Sequence, residues 1–97
     1  MNLTTYSSVW DAIEDTPQQA ANMKARSTLM MELEKIITQQ GMTQQEASQF
    51  FGVTQPRIAD LMRGKINLFT LDALMDMATT AGLFPRVVVK QQNHEAA

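Results

Sequence analysis

Residues 43–65 constrain the fold of this 97-residue chain more than any other stretch. Thr43 can cap a helix, and Glu46 three residues later completes the pattern of a capping box. Gly52 stands where that helix must end in a left-handed backbone conformation. Thr54 can cap a second helix directly afterwards. The stretch therefore predicts two short helices joined by a tight turn.

Each of the two predicted helices has an apolar and a polar side. The apolar positions recur at helical spacing and are Ala47, Phe50 and Phe51 on the first helix and Ile58, Leu61 and Met62 on the second. The polar residues of the second helix are of types that bind DNA, because glutamine pairs with adenine, arginine with guanine, and basic groups with phosphate. This spacing is typical of a helix-turn-helix whose second helix lies in the major groove. The alternative is an ordinary small bundle with a solvated polar face.

Residues 29–83 resemble the Cro/C1-type (XRE) helix-turn-helix domain of phage repressors and bacterial regulators. The matching positions are Thr43-Gln44, Ala47, Gly52-Val53, Thr54-Gln55, Ile58, Leu61 and Arg63-Gly64-Lys65. The resemblance implies an all-α, lambda-repressor-like domain of five helices. It also implies a sequence-specific repressor whose partner is double-stranded DNA.

The resemblance further implies a role for each polar residue of the motif. Bases would be read by Gln55, and phosphates would be held by Gln44, Thr54, Arg63 and Lys65. Pro56 is a departure, since the family often has a polar base-reading residue there. We therefore expect Arg57 and Asp60 to contribute to base contacts as well.

Three further helices complete the five-helix prediction. A short helical turn is predicted near Ser8, a long helix from Pro17 to about residue 40 with Thr16 as its cap, and a last helix with Thr70 as its cap. The long helix has an apolar stripe consisting of Leu29, Leu33, Ile36 and Ile37. We accordingly divide the chain into an arm (1–16), a helix-turn-helix domain (17–83) and a C-terminal strand with a polar tail (84–97).

Charge is unevenly distributed along the chain. The net charge of −2 is unusual for a DNA-binding protein. However, residues 54–65 carry three basic groups and one acid, whereas residues 1–16 carry three acids and no base. A monomer with so few basic groups would bind DNA weakly, because phosphate neutralisation supplies most of the non-specific affinity. We therefore predict a homodimer.

The C-terminal valines predict how the two copies meet. Val87, Val88 and Val89 are β-branched and favour an extended strand. An isolated strand offers unpaired backbone groups to another chain, so we predict an antiparallel ribbon across a two-fold axis. Two recognition helices would then lie about 34 Å apart on a palindromic operator. The alternative is an extended tail that packs on the helices without pairing.

The N-terminal arm has an apolar edge made by Val9, Trp10 and Ile13. It is either a short helix packed on the core or an acidic segment that becomes ordered on a partner. Residues 8–37 and 68–83 resemble antitoxins of HigB–HigA-type toxin–antitoxin modules. The resemblance implies repression of the chain's own operon and a basic, RNA-cleaving toxin as a further partner, for which an acidic arm is suited. The alternatives are a stand-alone XRE regulator and a protein-interaction module that uses the fold as a scaffold.

Enzymatic and membrane functions find little support in the sequence. There is no cysteine, so a disulfide framework or a thiolate metal site is excluded. Two candidate catalytic residues are unsupported, because His94 is in a polar tail and Ser48 has no base nearby in sequence. Asp72 and Asp76 are one helical turn apart and are interpreted as part of a solvated helix face, not as a metal site. We expect no cofactor and no metal. The absence of a signal peptide and of a long apolar stretch leads us to expect a cytoplasmic protein.

Overall fold

The computed structural model of the chain describes residues 16–91. This part contains four α-helices, which we number in chain order: α1 (Pro17–Gln40), α2 (Gln44–Phe51), α3 (Gln55–Met62) and α4 (Leu71–Thr80), with a 3-10 helix at Ile66–Leu68. The all-α prediction is confirmed, and all four helices predicted within this range are present. The short helical turn predicted near Ser8 lies outside the described residues. Among residues 16–91, no helix is both long and apolar enough to cross a membrane.

Every α-helix begins after a threonine whose side chain caps it. The hydroxyls of Thr16, Thr43, Thr54 and Thr70 accept hydrogen bonds from main-chain N–H groups three residues later, over 3.0–3.3 Å. At Thr43 the capping box is complete, because its N–H also donates to the Glu46 carboxylate over 2.8 Å. The sequence predicted all four caps. The caps fix where α2 and α3 start, and these two helices carry the predicted DNA contacts.

One hydrophobic core joins the four helices. α1 packs against α4, and α2 packs against α3. The core residues are Met30, Leu33, Ile37, Ala47, Phe51, Ile58, Leu61, Ile66, Phe69, Leu74, Met77 and Ala78. Two residues expected on apolar faces, Phe50 and Met62, are instead 44% and 39% exposed. Phe50 precedes the buried Phe51, and Met62 follows the buried Leu61. Because successive helical residues are about 100° apart, both side chains point away from the core. The prediction that Met62 belongs to the buried stripe of α3 is wrong, and the apolar face predicted for α2 is exposed at Phe50.

The turn between α2 and α3 favours glycine because of its backbone conformation, and not because space is lacking for a side chain. Gly52 has φ = 70°, in the left-handed region. Apart from Gly52 itself and its two chain neighbours, no described residue has an atom within 4 Å of the place where a β-carbon would stand. The turn is closed by the Val53 N–H, which donates to the Ser48 carbonyl over 3.0 Å. The predicted tight turn is confirmed, and it sets the direction in which α3 leaves α2.

The C-terminal segment, residues 83–91, has no regular secondary structure and forms no strand. Val87, Val88 and Val89 are 74%, 68% and 86% exposed, and Phe84 is 89% exposed. The strand prediction is wrong for the single chain, because β-branched residues favour extended backbone but a ladder needs a second strand, and residues 16–91 contain none. Pairing between two copies stays a prediction.

Candidate nucleic-acid interface

The N-termini of α2 and α3 and the C-terminal end of α3 hold most of the predicted DNA-contacting residues. Gln44 and Gln55 are the first residues of their helices, and Thr54 caps α3. Arg63 and Lys65 follow the C-terminal end of α3, about 12 Å from its start along the helix axis. All five residues are exposed to solvent. They are therefore accessible to a large ligand, as reading and holding a duplex requires.

Arg57 is placed differently from those five residues. It is half-buried, and its Nη1 donates a hydrogen bond to the Leu68 carbonyl over 2.5 Å. The guanidinium carbon also lies 4.0 Å from the centre of the Phe69 ring, which is a cation–π contact. In this conformation Arg57 braces α3 against the 3-10 helix. Sequence periodicity gave no sign of these contacts, because their partners are eleven and twelve residues away.

Arg26 braces the same segment from α1. Its Nη1 donates to the carbonyls of Ile66 and Phe69 over 3.2 and 3.1 Å. We call Arg26 and Arg57 together the two-arginine clasp, since both bind carbonyl groups of residues 66–69. Sequence analysis missed Arg26. The only available signal is its place four residues before the buried Met30, which puts a long basic side chain on the inner side of α1.

Asp60 and Lys65 form an ion pair at the C-terminal end of α3. Lys65 Nζ lies 3.8 Å from Asp60 Oδ1, and the Lys65 N–H donates to the Asp60 carbonyl over 3.0 Å. Half of the Lys65 side chain is exposed, against 26% of the Asp60 side chain. An ion pair at this exposure contributes little to stability. Its consequence is electrostatic, because the Asp60 carboxylate partly neutralises the charge of Lys65.

Glu34 lies beside the basic end of α3. A groove of about 220 Å³ between α1 and the end of α3 is lined by Glu34, Ser27, Met62 and Arg63 together with Met30, Met31 and Gly64. Burial raises the pKa of the Glu34 carboxyl above its ordinary value of 4.5. The folded protein therefore binds a proton at Glu34 more readily than the unfolded chain does.

This pKa shift predicts a stabilising substitution. Burial disfavours the charged form of the Glu34 carboxyl. Glu34 therefore contributes most to the free energy of unfolding at acid pH, where it is protonated, and this contribution is lost as the pH rises from 4.5 through the raised pKa of the folded protein. We expect Glu34→Gln to be more stable than the wild type at neutral pH, and the difference to vanish in acid. Denaturant unfolding across this interval measures it. The exposed Glu32→Gln serves as the control, and an equal pH dependence of wild type and Glu34→Gln would contradict the prediction.

Two groups of predicted site residues lie away from this interface. Val87, Val88 and Val89 are exposed on the C-terminal segment. Val9, Trp10 and Ile13 of the arm lie outside the described residues, as does His94. Within residues 16–91, no three acidic or histidine side chains are grouped in a way that could hold a metal ion.

A capped short helix, a turn at Gly52 and a second short helix with an exposed polar N-terminus together define a helix-turn-helix. The chain belongs to the helix-turn-helix domain family, whose family model matches residues 12–90. The match covers all four described helices and extends at both ends beyond residues 17–83. No curated protein matches the chain significantly. Membership of this family indicates a DNA-binding domain.

Proposed function

We propose that this protein is a sequence-specific transcriptional repressor that binds a palindromic operator as a homodimer. The observation that carries the proposal is the exposure of Gln55 at the start of α3 together with Arg63 and Lys65 beyond its end. A helix with base-pairing groups at its N-terminus and basic groups at its far end is suited to the major groove. Family membership supports the same class of partner.

In the proposed complex, α3 enters the major groove and divides the contacts between bases and backbone. Gln55 pairs with an adenine, and Gln44, Thr54, Arg63 and Lys65 hold phosphates. Asp60 can accept a hydrogen bond from a cytosine amino group when Lys65 turns toward the backbone. Arg57 keeps Nε and Nη2 as donors while its Nη1 binds Leu68, so its proposed base contact draws on those two groups.

Dimerisation is the second part of the proposal. The described chain exposes Val87, Val88 and Val89 side by side, and an exposed apolar run of this kind is typical of an interface. Pairing of two such segments would double the few basic groups that face the DNA. It would also relate the two copies of α3 by a two-fold axis, which a palindromic operator requires.

A charge in the valine run should separate the copies. We expect Val89→Asp to convert the dimer to a monomer, because it would place a charged side chain from each copy in an apolar contact. Gln91→Asp, two residues further on and equally exposed, should leave the dimer intact. Sedimentation equilibrium measures the mass of both variants. A wild-type monomer at all concentrations, or a dimeric Val89→Asp, would show that the valines are not the interface.

We further propose that the repressor is the cytoplasmic antitoxin of a HigBA-like module. The support is the resemblance of residues 8–37 and 68–83 to such antitoxins and the three acids without a base in residues 1–16, which suit a basic toxin. The division into an arm (1–16), a DNA-binding domain (17–83) and a C-terminal dimerisation segment (84–97) belongs to the same proposal. The gene next to that of this protein is the test: a small basic open reading frame favours the module, and its absence favours a stand-alone regulator.

DNA binding itself is tested by titration. The full-length protein is titrated into the DNA upstream of its own gene at two salt concentrations, with a shuffled duplex of equal composition as the control. We expect specific binding that weakens steeply with salt, because each phosphate contact releases counterions. Equal affinity for both duplexes, or no binding, would instead favour the protein-interaction module.

A further inference from the structure

An apolar groove lies on a side of the domain to which α3 contributes no residue. It has a volume of about 310 Å³ and runs between α1, α4 and the C-terminal segment. Its apolar lining comes from Ala25 and Leu29 of α1, Leu71 and Met75 of α4, and Pro85, Val87 and Val88 of the C-terminal segment. The groove is therefore free to bind something while α3 binds DNA.

We propose that this groove receives the chain's own N-terminal arm, with Trp10 as the anchor and Val9 and Ile13 beside it. The proposal stands independently of DNA binding, and it concerns the protein without a bound toxin, because the same arm is proposed above to suit a toxin. It assigns an intramolecular binding site to an apolar surface that the four helices leave open.

The chain length between Trp10 and α1 suits this site. Trp10 precedes Thr16 by six residues, which reach up to about 20 Å when extended. Ala25 and Leu29 lie about 14 and 20 Å along α1 from Thr16, since a helix rises about 1.5 Å per residue. An arm that turns back along α1 can therefore bring Trp10 level with the groove.

Size and chemistry also match. A dry cavity of roughly 150 Å³ accommodates a benzene ring, so the groove has room for an indole. Met75 is unbranched and polarisable, and its sulfur makes favourable contacts with aromatic rings. Of the three valines proposed for the dimer interface, Val87 and Val88 line the groove and Val89, the most exposed, does not.

Charge favours the arm over an unrelated apolar segment. Residues 1–16 carry Asp11, Glu14 and Asp15 and no base. The walls from residues 17–30 and 84–91 carry only basic groups, and one of these, Arg86, lines the groove. The third wall, α4, has Asp72 and Asp76, neither of which lines the groove. Among the described residues, Arg86 is the one charged residue that lines the groove, so it is the group that the acids beside Trp10 would meet.

Trp10 reports directly on the proposal, because it is the chain's single tryptophan. Its emission and its quenching by acrylamide are measured in the full-length protein, with a free tryptophan amide as the reference for full exposure. We expect blue-shifted, protected emission in the wild type. Ala25→Glu and Met75→Glu, on opposite walls, should each shift the docking equilibrium about tenfold or more toward the free arm. Thr80→Glu, on the exposed side of α4, should change nothing.

Each outcome decides the proposal. The proposal is overturned if the emission of Trp10 equals that of the free tryptophan amide. It is also overturned if the emission of Trp10 is protected in the wild type and stays equally protected in Ala25→Glu and Met75→Glu, with circular dichroism showing that both variants are folded. Protection that is lost on dilution overturns it in favour of the arm of a second copy. Trp10 emission that stays protected in Val89→Asp supports the docking of the arm in its own groove. This holds whether or not the valines form the dimer interface. A failure of DNA binding leaves all these readouts unchanged.

Discussion

Phe69→Ala should lower the free energy of unfolding by about 3–5 kcal/mol, the largest stability change expected for a single substitution here. Phe69 is 1% exposed, its ring supports the Arg57 guanidinium at 4.0 Å, and its carbonyl accepts from Arg26 at 3.1 Å. Truncation leaves a cavity in the core and removes the surface on which Arg57 rests. For a domain of this size the loss approaches the whole stability. Urea unfolding followed by circular dichroism measures it.

Two comparisons separate the contributions at this site. Leu68→Ala, at the adjacent but 50% exposed position, should cost less than about 0.5 kcal/mol. Phe69→Leu keeps most of the buried volume but removes the aromatic face, so it should lose only about 0.5–2 kcal/mol for the cation–π contact and imperfect packing. A Phe69→Ala protein as stable as Leu68→Ala would show that the two-arginine clasp and the ring beneath it do not secure α3.

The second large effect concerns DNA. We expect Gln55→Ala to weaken operator binding by about 2–6 kcal/mol per dimer, at about 1–3 kcal/mol for each lost base contact, and to relax specificity at one position of each half-site. Lys65→Ala should weaken binding to all sequences alike and lower the slope of affinity against salt by about 1 per subunit. Titrations over a set of single-base operator variants at several salt concentrations distinguish the two patterns.

Gln49→Ala provides the control for both, since Gln49 is an exposed glutamine of α2 without a proposed contact. Its affinity and salt dependence should match those of the wild type. If Gln55→Ala and Lys65→Ala changed affinity by the same factor on every operator variant, the proposed division between base reading and phosphate binding would be wrong.

Local patterns made the helical framework predictable. The four threonine caps and Gly52 each act on the backbone within a few residues, so their consequences can be read directly from the sequence. Leu33, Ile37, Ile58 and Leu61 are buried as their spacing predicts. The exposure of Gln44 and Gln55 likewise follows from their place at the start of amphipathic helices.

Long-range contacts account for what sequence analysis missed. Arg57 looked like a free polar side chain because its partners, Leu68 and Phe69, belong to a different element. Arg26 binds residues 40 and 43 positions away, a relation that no local period encodes. The strand at Val87–Val89 was inferred from local propensity, but a ladder depends on a second segment. Boundaries were predictable, whereas the partners of arginines and the pairing of strands were not.

The two-arginine clasp has a consequence for the kinetics of association. α3 has eight residues, and a helix of that length is not stable on its own in water. Hydrogen bonds from α1 and α3 to residues 66–69 hold it in place before any duplex is met. The entropy cost of ordering α3 thus belongs to the folding of the domain. Binding of α3 to DNA therefore needs no coil-to-helix step. Amide protons of α3 should accordingly exchange with deuterium only as fast as the whole domain unfolds.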